Sequence, residues 1–396
     1  MGSEKRKVVL IGSAHPLRGG LATYNERLIR EYRNRGDEAV IYTFSLQYPV
    51  FLFPGKTQYS SEPAPVDLPI KIAVNSINPL NWIRVGLQIK KQKPDLVLVK
   101  FWMPFMAPCL GTICRIIRKN KHSLVISIID NIIPHERRPG DRMLAGYWVG
   151  SSDGFVAMSK SVLNDLETFD KQKPKVFCPH PLYDNFGAVL SKKSAKEKLK
   201  LDPAFNYVLF FGFIRDYKGL DLLLKAFAEE PLKKMPLKLL VAGEFYTSPE
   251  PYHEIIRKYS LQDWVILSND FIPDSEVAAY FCAADLVVQP YKSATQSGVT
   301  QIAYHFNKPM IITNVGGLSE FVPDGKVGYV VDPDEKKIAS AIARFYNENK
   351  ETAFSMNAAE EKKKYSWGNM IAAIDEVAGQ VGEKRRATSD ERRIKV

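Results

Sequence analysis

The sequence predicts an α/β protein with two doubly wound parallel sheets, each in a Rossmann-like domain with its own hydrophobic core. Strand-length apolar runs alternate with longer mixed segments over most of the 396 residues. Most of these runs are apolar throughout, as parallel strands covered on both faces are. A chain of this length also exceeds what one hydrophobic core usually supports. Two series of βαβ units are therefore expected.

The first series of apolar runs predicts a domain over residues 1–186. Helical patterns separate the runs, and the pattern at 21–36 ends at a glycine, as helices commonly do. The predicted strands are 7–12, 39–44, 95–101, 124–130, 154–159 and 175–180.

A lysine-rich stretch at 187–206 interrupts the apolar pattern and is expected to contain the linker and a first exposed helix. A second domain is predicted over 187–365. The charged tail at 382–396 contains few apolar residues and is predicted to be disordered. The strands of the second series are 207–214, 237–244, 264–271, 286–291, 309–315 and 326–331.

The composition narrows the class of partner. Lys and Arg number 55 against 44 Asp and Glu, so the formal net charge is +11. This excess favours an anionic partner, which can be a nucleic acid, a phosphorylated small molecule or an acidic membrane surface. The basic residues are spread along the chain without a nucleic-acid recognition module, which argues against a nucleic-acid binder.

The cysteines and the hydropathy pattern favour a cytoplasmic protein. The four cysteines form neither a C-x-x-C pair nor a disulfide framework, so we expect reduced core residues and no zinc site. No signal-peptide pattern is found, and no apolar run reaches the roughly 18 residues of a membrane span.

Two cations follow the first strand of the second domain. Arg215 and Lys218 lie three residues apart, and Gly219 opens the next helix. Ligands of open parallel sheets bind beyond the carboxyl ends of the strands, so the cleft between the two domains is the expected site. Two cations beside a helix N-terminus can bind a phosphate or diphosphate. A solvated surface turn is the alternative.

Two further glycine turns follow predicted strands. Gly19 and Gly20 precede the helix after the first strand, but the G-x-G-x-x-G dinucleotide pattern is absent. After the strand that ends at Tyr291, a loop of small residues at 294–298 precedes another helix, whose first amides would point towards the same phosphate. Loop geometry explains any one of these turns, whereas three turns at strand ends favour an anion site.

A polar cluster follows a strand of the first domain. Asp130 lies at the strand end and His135 lies five residues later, so either side chain can orient or deprotonate an acceptor hydroxyl. Asp130 can equally cap the next helix, and His135 can be a packing residue. His15, after the first strand, is a further candidate for this site.

Taken together, the motifs resemble those of a GT-B glycosyltransferase of the retaining family-4 type, over nearly the whole chain. The Gly19-Gly20 turn and the G-x-I-R-x-x-K-G-x-D pattern at 212–221 are part of this resemblance. The segments LLVAGE (239–244), AADLVVQPY (283–291), KPMIITNVGGLSEFVPDGKVGYVV (308–331) and SW (366–367) complete it.

The resemblance implies a set of site residues. In such enzymes the basic pair contacts the diphosphate of a nucleotide sugar, and a C-terminal helix, here 366–381, returns to the first domain. The implied donor-binding residues are Gly19, Gly20, Gly212, Arg215, Lys218, Gly243, Glu244, Phe271, Ile272, Gln296, Ser297, Gly298, Val299 and Gln301. The acceptor side would comprise His15, Arg18, Trp102, Asp130 and His135, and the catalytic residues would be Asp130, His135, Arg215 and Lys218.

The sequence departs from the family pattern at the sugar-reading positions. The two glutamates that the family usually carries are replaced by Ala294 and Ile302, and the histidine of its HD pair by Ile129. Gln296, Ser297 and Gln301 can supply replacement contacts to the sugar, as His135 can for the missing histidine.

The resemblance and the charge pattern lead to one function with alternatives. The leading prediction is transfer of a sugar from a nucleotide sugar to a glycan or lipid-linked acceptor, in synthesis of a cell-surface polysaccharide such as lipopolysaccharide. No Asp-x-Asp metal motif is apparent at the predicted phosphate-binding turns, so Arg215 and Lys218 are expected to take the place of a metal. A nucleotide-sugar epimerase, a phosphorylase and a non-catalytic sugar-nucleotide-binding subunit remain open.

Two basic, partly apolar segments of the first domain predict a contact with a membrane. Residues 78–94 and 109–122 combine bulky apolar side chains with Lys and Arg, as helices that dock on an anionic inner leaflet do. An ordinary surface helix with a solvated face explains the same pattern. The apolar loop at 101–108 can receive a lipid or sugar acceptor.

Overall fold

The computed structural model describes residues 5–49, 53, 55–133 and 138–394, which fall into two compact units. Unit 1 contains the residues up to 53, residues 57–181 and the residues from 367 onwards. Unit 2 contains residues 54–56 and 182–366. The chain therefore leaves unit 1 after residue 181, slightly before the predicted boundary at 186. His135 lies outside the described residues.

Unit 1 is built on a seven-stranded sheet in the order β3-β2-β1-β4-β5-β6-β7, with every pair of neighbours parallel. Its strands are β1 (Lys7–Ile11), β2 (Glu38–Leu46), β3 (Ile70–Asn75), β4 (Leu96–Phe101), β5 (Leu124–Ile129), β6 (Gly154–Ala157) and β7 (Lys175–Phe177). Its helices are α1 (Gly20–Asn34), α2 (Pro79–Gln92), α3 (Ala107–Arg118), α4 (Asp141–Ser151), α5 (Lys160–Glu167) and α14 (Trp367–Ile394).

The central strands of unit 1 are buried on both faces. All six residues of β4 are buried, and Phe101 at its end stacks on Trp148 of α4 with the ring centroids 4.7 Å apart. The edge strand β3 was not predicted. Lys71 and Ile72 are exposed there, because an edge strand is only partly covered, and the run therefore lacks the uniform apolar pattern of the central strands.

Unit 2 is built on a six-stranded parallel sheet in the order β10-β9-β8-β11-β12-β13. Its strands are β8 (Asn206–Phe211), β9 (Leu237–Ala242), β10 (Val265–Ser268), β11 (Leu286–Gln289), β12 (Met310–Thr313) and β13 (Gly328–Val331). Its helices are α6 (Lys192–Lys198), α7 (Leu220–Phe227), α8 (Glu230–Lys233), α9 (Glu250–Lys258), α10 (Asp274–Ala283), α11 (Gly298–His305), α12 (Glu335–Asn347) and α13 (Glu351–Glu361).

The C-terminal tail differs from its prediction. Instead of disorder from residue 382, α14 continues to Ile394. Arg385 forms an ion pair with the buried Asp153 at 2.8 Å, and the Lys384 ammonium donates to the carbonyl of Gln172. Two of the charged side chains of this segment thus contact earlier residues of unit 1, and composition alone does not reveal such partners. Across the described residues, no helix is both long and apolar enough to cross a membrane.

Candidate functional site

The carboxyl edge of the unit 2 sheet carries the predicted donor-binding residues of this unit. The order of the strands makes the loops after β10, β9, β8 and β11 neighbours along that edge. Those loops and the helix after β11 contain Phe271 and Ile272, Gly243 and Glu244, Gly212, Arg215 and Lys218, and Gln296, Ser297, Gly298, Val299 and Gln301.

Two glycines let the backbone at this edge pack closely. Gly219 has a φ of 69°, and a Cβ there would lie 1.9 Å from the carbonyl oxygen of Pro290. A Cβ on Gly243 would lie 2.1 Å from the carbonyl oxygen of Gly212. Any side chain at either position would therefore force the loops apart, so both glycines are needed to shape this edge.

Arg215 and Lys218 have no acidic partner among the described residues. Both side chains are half-buried, and in the part of the chain that the structure describes no carboxylate lies within 4 Å of either one. Burial lowers the pKa of Lys218, and the positive charge of Arg215 lowers it further. Two partly desolvated cations without counter-charges attract an anion.

The nearby carboxylates form ion pairs with a different lysine, Lys292. Lys292 binds Asp216 at 2.8 Å and Asp221 at 2.9 Å. Burial tends to lower the pKa of Lys292, but hydrogen bonds to the two carboxylates raise it overall. The positive charge of Lys292 is thus balanced by two carboxylates. Arg215 and Lys218, in the same loop region, have no such carboxylate among the described residues.

The first turn of α11 lies beside Lys218. Ser297 caps this helix by accepting a hydrogen bond from the Val299 amide at 3.2 Å. A Cβ built on Gly212 would lie 3.2 Å from Lys218 Nζ and 3.6 Å from Val299 Cγ2. The ammonium group, the β8 turn and the positive end of the α11 dipole therefore meet at one place, as an anion site requires.

The remaining donor-side candidates differ in their burial and in their contacts. Phe271 stacks against Phe213 with centroids 6.1 Å apart, and Ile272 is buried. The buried Glu244 accepts the backbone N–H of Lys56, a residue of the same unit, at 2.5 Å. Gln301 is also buried, and its Oε1 has no hydrogen-bond partner among the described residues.

Sequence reasoning missed the tyrosines that hold the two cations. Arg215 Cζ lies 5.2 Å from the ring centroid of Tyr246, and Lys218 Nζ lies 5.3 Å from that of Tyr291. Tyr246 also packs on Phe213 with centroids 4.2 Å apart. The sequence does place an aromatic residue within four positions of the ends of β8, β9 and β11. This signal is hard to recognise, because aromatic residues also occur in apolar runs such as FFGF.

In unit 1, Asp130 is paired with a buried lysine. Lys100 lies inside β4, and its ammonium is 3.0 Å from Asp130 Oδ1 and 3.3 Å from the ring centroid of Tyr24. Burial lowers the pKa of Lys100, although the negative charge of Asp130 opposes this shift. Sequence analysis did not single out Lys100, whose signal is a lone lysine within the apolar run DLVLVKF.

His180 completes this buried cluster. Its ring packs edge-on against Tyr24, with centroids 5.0 Å apart. Burial and the nearby Lys100 lower the pKa of His180 to about 3, so the imidazole is neutral at physiological pH. It therefore adds no positive charge beside Lys100.

The other acceptor-side candidates of unit 1 follow β1 and β4, which are neighbours in the sheet. The backbone N–H of His15 donates to Glu26 at 2.8 Å, and that of Arg18 donates to the carbonyl of Gln58 at 3.1 Å. The indole of Trp102 donates to the hydroxyl of Tyr48 at 2.8 Å. Gly19, at a φ of 96°, precedes Gly20, the first residue of α1. His135 remains a prediction.

The fold and the match to a protein family indicate which class of protein this chain resembles. The two parallel-sheet units have the GT-B architecture of glycosyltransferase structures, which confirms the predicted fold. Residues 191–363, all within unit 2, match the family of glycosyl transferases group 1. The predicted resemblance to GT-B glycosyltransferases is thereby confirmed, whereas the retaining family-4 type stays a prediction.

Individual proteins show how far the similarity extends. The chain is 30% identical to D-inositol 3-phosphate glycosyltransferase 2 of Catenulispora acidiphila over 208 residues, which cover 50% of this chain and 48% of the relative. The chain therefore spans about half the length of that relative. Its similarity to a sucrose-phosphate synthase from Thermosynechococcus elongatus has a TM-score of 0.71 at 16% identity, covering 98% of this chain and all of the other.

A third protein was solved with ligands. The Anabaena protein HepE, in complex with UDP and glucose, has a TM-score of 0.68 to this chain at 15% identity, with 96% of this chain and 100% of HepE covered. At this level of identity, the two structural comparisons show a shared fold.

Proposed function

We propose that the protein is a glycosyltransferase that moves a sugar from a nucleoside-diphosphate sugar to a hydroxyl group of a glycan or lipid-linked acceptor. The observation that carries the proposal is the pair of half-buried cations, Arg215 and Lys218, beside the first turn of α11. Neither cation has a carboxylate partner in the part of the chain that the structure describes. This pair lies within the region that matches the glycosyl transferases group 1 family.

In the proposed reaction, the bond between the sugar and the diphosphate breaks while the acceptor oxygen bonds to the same sugar carbon, with retention of configuration. The nucleoside diphosphate leaves with the electron pair. Arg215, Lys218 and the amides of the first α11 turn stabilise its growing negative charge in place of a divalent metal. Asp130, in unit 1, orients the acceptor hydroxyl and takes its proton.

The acceptor is proposed to be part of a cell-surface polysaccharide such as lipopolysaccharide, with the enzyme docked from the cytoplasm on the inner membrane face. Five large exposed apolar side chains lie on β3, α2 and the loop between them, near the exposed Arg84 and Lys91. They are Ile72, Ile77, Leu80, Ile83 and Leu87. Apolar side chains with flanking cations are suited to an anionic lipid surface.

Donor binding tests the proposal directly. UDP-, GDP-, ADP- and dTDP-sugars are screened by thermal shift, because a ligand of the native state raises the melting temperature. One of them is expected to do so, and Arg215→Ala with Lys218→Ala should abolish the shift. Lys292→Ala, which removes a neutralised cation nearby, is the matched control and should bind normally.

Turnover separates the enzyme from its alternatives. Slow hydrolysis of the bound donor by the wild type, lost in the double variant, indicates a transferase rather than a scaffold. Acceleration by inorganic phosphate would instead indicate a phosphorylase. Absence of binding by all four nucleotide classes would refute the proposed function.

Co-sedimentation with vesicles tests the membrane part. Binding to vesicles that contain anionic lipid is expected, and it should weaken at high salt and in the triple variant Leu80→Ser, Ile83→Ser and Leu87→Ser. Met356→Ser, at an exposed methionine of unit 2, is the control. Equal binding by the triple variant would exclude this surface.

A further inference from the structure

Arg215 and Lys218 each lie over an aromatic ring, and no carboxylate of the described residues pairs with either one. The guanidinium of Arg215 lies over Tyr246, which itself packs on Phe213. The ammonium of Lys218 lies over the ring of the buried Tyr291. Each cation of the pair thus has its own tyrosine, contributed by a different loop of the same sheet edge.

A ring and a carboxylate hold a cation with different consequences. A carboxylate fixes a cation but neutralises it, and an incoming phosphate must then compete with that carboxylate. The face of an aromatic ring attracts the cation through its quadrupole and adds no net charge. A cation held in this way is fixed in position and keeps its full charge for a ligand.

Lys292 shows the carboxylate alternative in the same loops. Asp216 directly follows Arg215 in the chain, yet its carboxylate binds Lys292, as does that of Asp221. The local acids are thereby held by a third cation, and Arg215 and Lys218 keep their charge.

Tyr291 also connects Lys218 to the helix terminus. Its hydroxyl is 3.1 Å from Ser297 Oγ, and that oxygen accepts the amide of Val299 in the first turn of α11. A single buried side chain therefore contacts the lysine through its ring and the helix cap through its hydroxyl.

We infer that Tyr246 and Tyr291 are positioning residues for diphosphate binding, acting through Arg215 and through Lys218 with the α11 cap. This inference rests on the proposed function and deepens it. The rings hold both cations in the geometry of the site without reducing their positive charge, so selectivity for a diphosphate over a monophosphate depends on them.

The test compares Tyr246→Leu with Tyr246→Phe. Calorimetry gives the affinities for the nucleoside diphosphate that the wild type binds and for its monophosphate. Tyr246→Leu should weaken diphosphate binding about ten-fold and lower the ratio of the two affinities, because the cation–π contact is lost. Tyr246→Phe keeps the ring face and should restore both values. Tyr259→Leu removes an equivalent lysine–ring contact at the end of α9 and should change neither.

A double-mutant cycle protects the test against general destabilisation. If Tyr246 acts through Arg215, Tyr246→Leu should cause no further loss of diphosphate affinity in the Arg215→Ala background. A further loss there, an unchanged affinity ratio in Tyr246→Leu, or equal weakening by Leu and Phe would each overturn the inference while the proposed function stands. If the wild type binds no nucleoside diphosphate, both fall together.

Discussion

Each unit places a lysine near the carboxyl edge of its sheet, against a tyrosine ring, but the two lysines differ in their counter-charge. In unit 1, Lys100 lies against Tyr24 and is paired with Asp130. In unit 2, Lys218 lies against Tyr291, with no carboxylate within 4 Å among the described residues. Lys100 therefore holds an acid in place, whereas the charge of Lys218 remains available for a ligand.

The physical cost of the two arrangements also differs. A buried ion pair recovers part of the desolvation energy of both ions through their mutual attraction. A partly desolvated cation that has only an aromatic ring beside it recovers less of this energy until an anion binds, so its charge lowers the stability of the unliganded protein. Unit 2 should therefore gain stability when this charge is removed, whereas unit 1 should lose stability when its pair is broken.

The largest expected effect is in unit 1. Asp130→Ala leaves the buried Lys100 without an acid and should lower the free energy of unfolding by about 3–5 kcal/mol in urea denaturation. Adding Lys100→Met should recover most of the loss, because the unpaired charge is removed. Asp67→Ala, which breaks the exposed pair with Arg30, should cost less than about 1 kcal/mol. Equal losses of unfolding free energy in Asp130→Ala and Asp67→Ala would show that the buried pair contributes no more to stability than the exposed pair.

A smaller effect of opposite sign is expected in unit 2. Lys218→Met should raise the free energy of unfolding by about 1 kcal/mol, as relief of a functional strain often does, while abolishing nucleotide binding. Lys292→Met, which leaves Asp216 and Asp221 without their cation, should not stabilise. Destabilisation by Lys218→Met in the same urea titrations would show that its charge contributes to the unliganded fold.

The smallest effect is a pH dependence of donor affinity. The pKa of Lys218 is lowered by burial, so the ammonium loses its proton at a lower pH than an ordinary lysine. Nucleoside-diphosphate affinity, measured by calorimetry, should therefore decline as the pH rises towards that of ordinary lysine titration. Lys218→Arg should retain affinity to higher pH, since arginine stays charged. Identical pH profiles would show that another group controls binding.

The lowered pKa of Lys218 also determines how its contribution to the free energy of unfolding changes with pH. At pH values between the lowered pKa of Lys218 and the usual lysine pKa, the unfolded chain holds more protons than the native one. The contribution of Lys218 to stability therefore rises with pH through that window. The unfavourable contribution is fully present below it, at neutral pH.

The sequence predicted most of the sheets because buried parallel strands are uniformly apolar. It failed at β3, where lysine and exposed isoleucine break that pattern, and at the tail, where Arg385 pairs with Asp153 from far along the chain. Arg215 and Lys218 were predictable from their local spacing beside Gly219. Tyr246, Tyr291 and Lys100 were not, since each acts through a contact between separate loops or strands.

The attachment of α14 has a consequence for synthesis on the ribosome. Val377 packs so closely on Gly154 that a Cβ there would lie 2.3 Å from it, and Asp375 binds Arg6 near the start of the chain. The first unit thus lacks one of its covering helices until residues 367–394 have been translated. The nascent chain must keep the uncovered side of its first sheet from aggregating while the second unit is still being made.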